Sequence, residues 1–430
     1  MTKRVHWLAA VVLFFVAVQP AAAAHRFVVR TTLGLPGLQT ACLLHTCAVV
    51  RALDGTLNQV FLLATPDFVD SNLFLVVLRA LPGIVDAEAD QLLAIPSGLA
   101  SLTSPPGNLS QNSPVDYYGS QVWQGYAVQP ASQIIRLFDA RTQFQVSGTG
   151  IVADIDTGVD PTHPALSGVL LTGYDFTHNQ PGGSELQDWP YATPPSCPDC
   201  PAATVNQSTA AVLDQSTAAV LDGTPYAAFG HGTMVAGVIH LTAPTALILP
   251  LKAFQANGTG YLSDIVRAIY YAVQNQANVI NMSFDFTAPS QELAAAVSYA
   301  NQNNVICVAS VGNDGQQITT YPASLAGVMG VASTSDLDTR STFSNYGPEV
   351  WVAAPGEDIV TTYPFGTYAA ASGTSFSSPF VAGTAALLRS ANAGISPSGA
   401  ALAIGHAQQV GAGLGNGRLD VYLALESEQE

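Results

Sequence analysis

The feature that most restricts this chain is an alternation that begins near residue 115. The segments GIVADIDTGV, ALILPLKAF, ANVINMSF, VICVASVGN and GVMGVAST read as buried strands. Between and after them, GTMVAGVIHL, LSDIVRAIYYAVQNQ, SQELAAAVSYANQNN and SSPFVAGTAALLRSA read as helices. Strands apolar on both faces need cover on both faces, and intervening helices supply it over a mostly parallel sheet. The expected class is therefore α/β, with helices on both sides of the sheet. In such sheets the working residues collect at the carboxyl ends of strands. Asp156, Ser283 and Asn313 fall there.

The chain has 430 residues, enough for two or three domains. Apolar residues make up 48% and charged ones 10%, which permits a large core and excludes a disordered chain. The net charge is −17, and Lys3 and Lys252 are the only lysines. That balance argues against nucleic acid as a partner, because phosphates require clustered Lys and Arg. The first 24 residues carry Lys3 and Arg4, an apolar run from Leu8 to Val18, and the small residues Ala22, Ala23 and Ala24. That is the pattern of a secretory signal peptide, too short for the ~20 apolar residues of a membrane span. The expected location is secreted or periplasmic, with no membrane span once the signal is removed. Export permits disulfides for the close pairs Cys42/Cys47 and Cys197/Cys200, while Cys307 reads as a buried, inert thiol.

Residues 25–96 read as a small α+β unit. The order is strand, helix, a hairpin around Asp54-Gly55, a helix capped by Asp70 or Ser71, and a closing strand IVDAEADQLLAI. This β-α-β-β-α-β order is the split, ferredoxin-like pattern. Residues 97–114, rich in Ser, Pro, Gly and Asn, read as an exposed linker to a domain spanning 115–430.

Five segments of that domain carry chemistry: DIDTGVDPTHP, GHGTMVAG, NMS, SVGNDG and SGTSFSSPFVAG. A serine is a poor nucleophile until an imidazole takes its proton, and the imidazole needs a carboxylate to hold its tautomer. The order Asp156, His231, Ser375 is that of subtilisin, not of chymotrypsin or the α/β-hydrolases. From Gly148 to about Leu425 the chain resembles the subtilisin-like serine peptidases, or subtilases. Gly373-Thr374-Ser375-Phe376-Ser377-Ser378-Pro379 is similar to their serine motif, DTGVDPTHP to their aspartate motif, and GHGTMVAG to their histidine motif, with Met234 in place of a second histidine. The resemblance implies Ser375 as nucleophile, His231 as base then acid, and Asp156 as the orienting carboxylate. It further implies Asn313 and the Ser375 N–H as oxyanion donors.

The same resemblance implies that an extended polypeptide substrate pairs with two backbone edges. One contains Gly258 and Gly260. The other contains Ser283, Phe284 and Asp285, where Asp285 and Phe286 stand in place of two glycines, and Gly312 joins the pocket wall. Asp285 is expected to favour basic or polar side chains. No cofactor is implied for the chemistry; the family often carries structural Ca2+, but no ligand cluster marks a site. Residues 25–96 resemble the family's inhibitory propeptide, which implies a zymogen whose own propeptide is a partner. Two other readings stay open: a catalytically silent peptide-binding homologue, and a protein that cuts only itself. Asp154 shares a strand face with Asp156 and has no assigned role. The identical octads Gln207–Asp214 and Gln215–Asp222 stand within a long segment, about 179–229, and read as an insertion that shapes access to the site.

Overall fold

The computed structural model describes residues 25–95, 106–190 and 226–429. The leader, the Cys197/Cys200 pair and both octads lie outside the described residues.

The N-terminal segment runs β1 (His25–Thr31), α1 (Gly34–His45), β2 (Ala48–Ala52), β3 (Val60–Thr65), α2 (Ser71–Ala80) and β4 (Ile84–Ala89). The strands form an antiparallel sheet in the order β2-β3-β1-β4. Phe27, Val29, Leu38, Phe61 and Phe74 fill the space between sheet and helices. Asp70 caps α2 by accepting from the Leu73 N–H at 2.8 Å. Cys42 and Cys47 are joined by a disulfide at the end of α1.

The stretch expected as one closing strand is two. After β4 the chain leaves the sheet and forms β5 (Leu92–Ala94), which pairs elsewhere. Asp90 explains the break. Its carboxylate is held by Arg26 and by the N–H and hydroxyl of Ser263, at 2.8–2.9 Å, so the chain turns toward the second domain. The expected linker also differs from the structure. From Pro106 onward it is packed, with Leu109 buried in the large core, and Asn108 lies so close to Gly125 that a Cβ there would clash.

The second domain is built on an eight-stranded sheet. Its main strands are β6 (Ile151–Asp156), then β7 (Leu247–Lys252), β9 (Val279–Met282), β10 (Ile306–Ser310), β11 (Val328–Thr334) and β12 (Val350–Pro355). They lie parallel in the order β7-β6-β9-β10-β11-β12, and the short strands Tyr174–Asp175 and Gln180–Pro181 extend the β7 edge. Strand β8 (Thr259–Tyr261) stands apart and pairs with β5.

On one face pack α3 (His231–Thr242) and α6 (Thr374–Ala391), against Val152, Ile248, Val279 and Val308. On the other pack α4 (Leu262–Gln274) and α5 (Gln291–Gln302), against Ile155, Leu251, Ile280 and Cys307. Alternate residues of each strand thus serve opposite cores, as the period of two requires. A hairpin of β13 (Ile359–Tyr363) and β14 (Thr367–Ala371) covers α3.

Candidate active site

Asp156 is the last residue of β6, and His231 the first of α3. The His231 Nδ1–H donates to Asp156 Oδ1 at 2.7 Å, and the Thr157 N–H donates to the same oxygen at 2.6 Å. Both side chains are buried. That bond fixes the ring tautomer and leaves Nε2 as the proton acceptor.

Ser375 stands in the first turn of α6, behind Gly373 at the N-cap. Its hydroxyl donates to the Ser283 carbonyl at 3.1 Å, and the Ser283 hydroxyl donates back to the Ser375 carbonyl at 2.8 Å. Pro379 accounts for the second bond. Four residues on, proline has no N–H to give the Ser375 carbonyl, and Ser283 replaces it. The helix start leaves early N–H groups free to face an anion. The Phe376 ring lies 5.6 Å from the His231 ring, which brings the α6 start beside α3.

Asn313 follows β10. Its Oδ1 accepts from the N–H and hydroxyl of Thr374, at 2.8 and 3.0 Å, so its Nδ2 is turned toward Gly373. Gly312, at φ +101°, could not carry a Cβ, because Asn345 Nδ2 and Asp285 Oδ2 occupy that space. Asp285 therefore lies against the Gly312 wall. It is buried, not solvated, and its Oδ1 has no hydrogen-bond partner. Burial first, and the Asp314 charge second, push its carboxyl well above the usual range.

Gly258 and Gly260 flank Thr259 in the edge β8, which is already paired. Thr259, Gly260 and Tyr261 face Ala94, Leu93 and Leu92 of β5 in antiparallel register. The Ile95 N–H donates to the Gly258 carbonyl at 2.8 Å, and the Leu262 N–H to the Gln91 carbonyl at 2.9 Å. Two carboxylates of the same segment reach helix starts: Glu88 accepts from Ser290 Oγ and the Glu292 N–H of α5, and Asp90 from the Ser263 N–H of α4.

Asp154 joins the site from behind. Its Oδ1 accepts from Asn281 Nδ2 at 3.1 Å, and Asn281 bonds both Ser283 and Ser378. Burial first, and the Asp156 charge second, push its carboxyl well above the usual range.

Two neighbours have no visible sequence signal. Glu185 and Lys252 are fully buried beside Asp156. Glu185 lies in PGGSELQD, which reads as an ordinary polar loop. Lys252 donates to the Thr157 and Phe254 carbonyls and to Asp188, at 2.7–3.0 Å. Among the described residues, no group of three or more His, Cys, Asp or Glu is placed to hold a metal ion. No described helix is long and apolar enough to cross a membrane.

The parallel sheet, with Asp156, His231 and Ser375 in that chain order, defines the class as a subtilisin-like serine peptidase. Residues 148–416 match the model of the subtilase family. The chain is similar to thermitase of Thermoactinomyces vulgaris, 34% identical over 289 residues that cover 64% of this chain and 88% of thermitase. It is similar to a thermophilic serine proteinase of Bacillus sp. (strain AK1), 39% identical over 239 residues that cover 56% of this chain and 52% of that protein. The chain thus spans about half the length of that relative. A solved structure of a cold-adapted subtilisin-like serine proteinase superposes with a TM-score of 0.51 at 28% identity, over 64% of this chain and 90% of that one. The chain belongs to the subtilase family.

Proposed function

We propose that this protein is a secreted serine endopeptidase, made as a zymogen, that cleaves polypeptides through Asp156, His231 and Ser375. The observation that carries the reading is the 2.7 Å bond from His231 Nδ1 to Asp156, in a cleft shared with the Ser375 helix start.

In the reaction, Ser375 Oγ attacks the scissile carbonyl and its proton passes to His231 Nε2. Asp156 stabilises the imidazolium. The oxyanion is held by Asn313 Nδ2 and the Ser375 N–H. As the C–N bond breaks, His231 gives the proton to the leaving amine. A water then attacks the acyl-enzyme, loses a proton to His231 and restores Ser375. Substrate lies along Gly258–Gly260 on one side and Ser283–Asp285 on the other, with Gly312 in the wall between Asp285 and Asn313.

Residues 25–96 act as the inhibitory propeptide. The support is β5, which already lies on the β8 edge as an added strand, in the manner of a bound peptide. The leader pattern of residues 1–24 supports export.

The test is Ser375→Ala with a fluorophosphonate label. Wild-type protein should hydrolyse a denatured protein and take one label per chain, and folded Ser375→Ala should do neither. Retained hydrolysis in Ser375→Ala sinks the nucleophile assignment. An unlabelled, inactive wild type that still binds peptide favours a silent homologue, and cleavage confined to its own chain favours a self-processing protein.

A further inference from the structure

Glu185 is a buried carboxyl that takes no part in acyl transfer, yet it binds the backbone on both sides of His231 and the hydroxyl of the residue that follows Asp156. One oxygen, Oε2, accepts from the Gly230 N–H at 2.7 Å and from the Thr157 hydroxyl at 3.0 Å. The other, Oε1, accepts from the Thr233 N–H at 3.2 Å and from the Thr233 hydroxyl. Thr157 follows Asp156 directly. Gly230 precedes His231, and Thr233 lies two residues after it.

The local reason is a missing cap. Helix α3 begins at His231 with Gly230 at the N-cap, and glycine has no side chain to accept its first N–H groups. Nothing larger fits there, because a Cβ on Gly230 would enter the Tyr363 ring. Glu185 supplies the acceptor from 45 residues away. The loop that carries it is fixed in turn, since the Val159 N–H donates to the Gly183 carbonyl and a Cβ on Gly158 would meet Glu185 N.

We propose that Glu185 is a positioning residue of the peptidase, which locks His231 and Asp156 in register and keeps a carboxylate acceptor behind the α3 start. The inference rests on the peptidase reading of Asp156, His231 and Ser375.

Burial holds the Glu185 carboxyl at about 8, with the hydrogen bonds from Thr233 and Gly230 pulling it down and the Asp156 charge pushing it up. The charged and titratable groups around it are Asp156 and Asp154 on β6, His231 on α3, Lys252 on β7 and Tyr363 on β13. As pH falls, burial shifts the balance toward the neutral acid; as pH rises, the carboxylate, to which all four contacts donate, prevails at the helix start and favours the imidazolium that forms in the transition state.

The experiment compares the enzyme matured from the full chain with Glu185→Gln and Glu185→Asp, with Ser375→Ala in parallel. Steady-state kcat and KM are read from pH 6 to 10 on one peptide substrate. Glu185→Gln keeps one acceptor oxygen, sets an NH2 against the other pair of donors, and cannot ionise. It should leave KM unchanged and lower kcat, with a wild-type to variant ratio that grows through pH 8 to the order of tenfold. Glu185→Asp still ionises but is shorter, so its kcat should fall by a similar factor at every pH; it is read alone if Glu185→Gln does not fold. A kcat for Glu185→Gln equal to wild type, a loss that is the same at every pH, or a change confined to KM overturns the proposal, as does a fully active Glu185→Asp. Activity that survives in Ser375→Ala would overturn the peptidase reading instead.

Discussion

At the scale of single residues, the cleft joins groups that are strong only in combination. Asn313 has its oxygen occupied by Thr374, so its amide hydrogens are free for charge that exists mainly in the transition state. Asn313→Ala should therefore lower kcat with little change in KM, by roughly a hundredfold or more, a figure that comes from subtilisin. A loss confined to KM would count against the oxyanion role. Asp285 presents a buried carboxyl beside Gly312 and within the field of Asp314. Side chains entering there should be basic or polar, because a bare apolar group would bury that carboxyl without a partner. Peptides with lysine before the scissile bond should be cut on the order of tenfold better than those with norleucine. Asp285→Gly should erase the difference and admit phenylalanine. An unchanged profile dominated by large apolar residues in both proteins removes the idea. Asp156 and Asn313 stand in glycine-flanked motifs after strands, and His231 and Ser375 in glycine-flanked helix starts, which are patterns a sequence displays. Glu185 was not readable, because its partners are supplied by tertiary structure and its own neighbours describe only a loop.

At the scale of elements, period and caps account for most of what the sequence revealed. Of the two caps offered for α2, Asp70 and Ser71, it is Asp70 that accepts from Leu73, and Ser290 caps α5 in the same way. The β13–β14 hairpin was not legible. Its strands are buried throughout, so they lack alternation, and its turn is Phe365-Gly366 rather than the Asn-Gly that signals such a turn. The split of the segment after Ile84 was hidden for a different reason, since only the Ser263 contact shows why Asp90 turns the chain. The segment read as an insertion is held near its start by Glu185 and by Asp188, which binds Lys252 and the Ala256 N–H. The octads should then act on access rather than on chemistry. Deleting Gln215–Asp222 should change cleavage of a folded protein several-fold while a small ester is cut as before. Equal loss of both activities in a folded variant would place the octad in the site.

At the scale of the whole molecule, the two units meet through carboxyl groups. Burial pushes Glu292 up to about 7, opposed by Arg30 and reinforced by the facing Asp86. Burial and the nearby Asp90 push Asp264 up to about 7. Glu88 and Asp90 are raised by burial as well. Once undocked and solvated, such groups return toward the ordinary carboxyl range near 4. Docking therefore takes up protons; its stabilisation is complete below about pH 4 and is lost as pH rises through about 7. Titrating the 25–96 unit into mature Ser375→Ala enzyme should show affinity falling at least about tenfold between pH 5 and 8. Affinity that rises over that range contradicts the prediction. The burial of Lys252 has a practical side too. Its amine is sealed inside by two carbonyls and Asp188, and the chain's other lysine, Lys3, lies within residues 1–24, the stretch with a leader pattern. An amine-directed reagent applied to the folded, leader-free protein therefore meets no surface lysine. Every tag it deposits marks a chain terminus, so any cleavage of the backbone would announce itself as a new point of labelling.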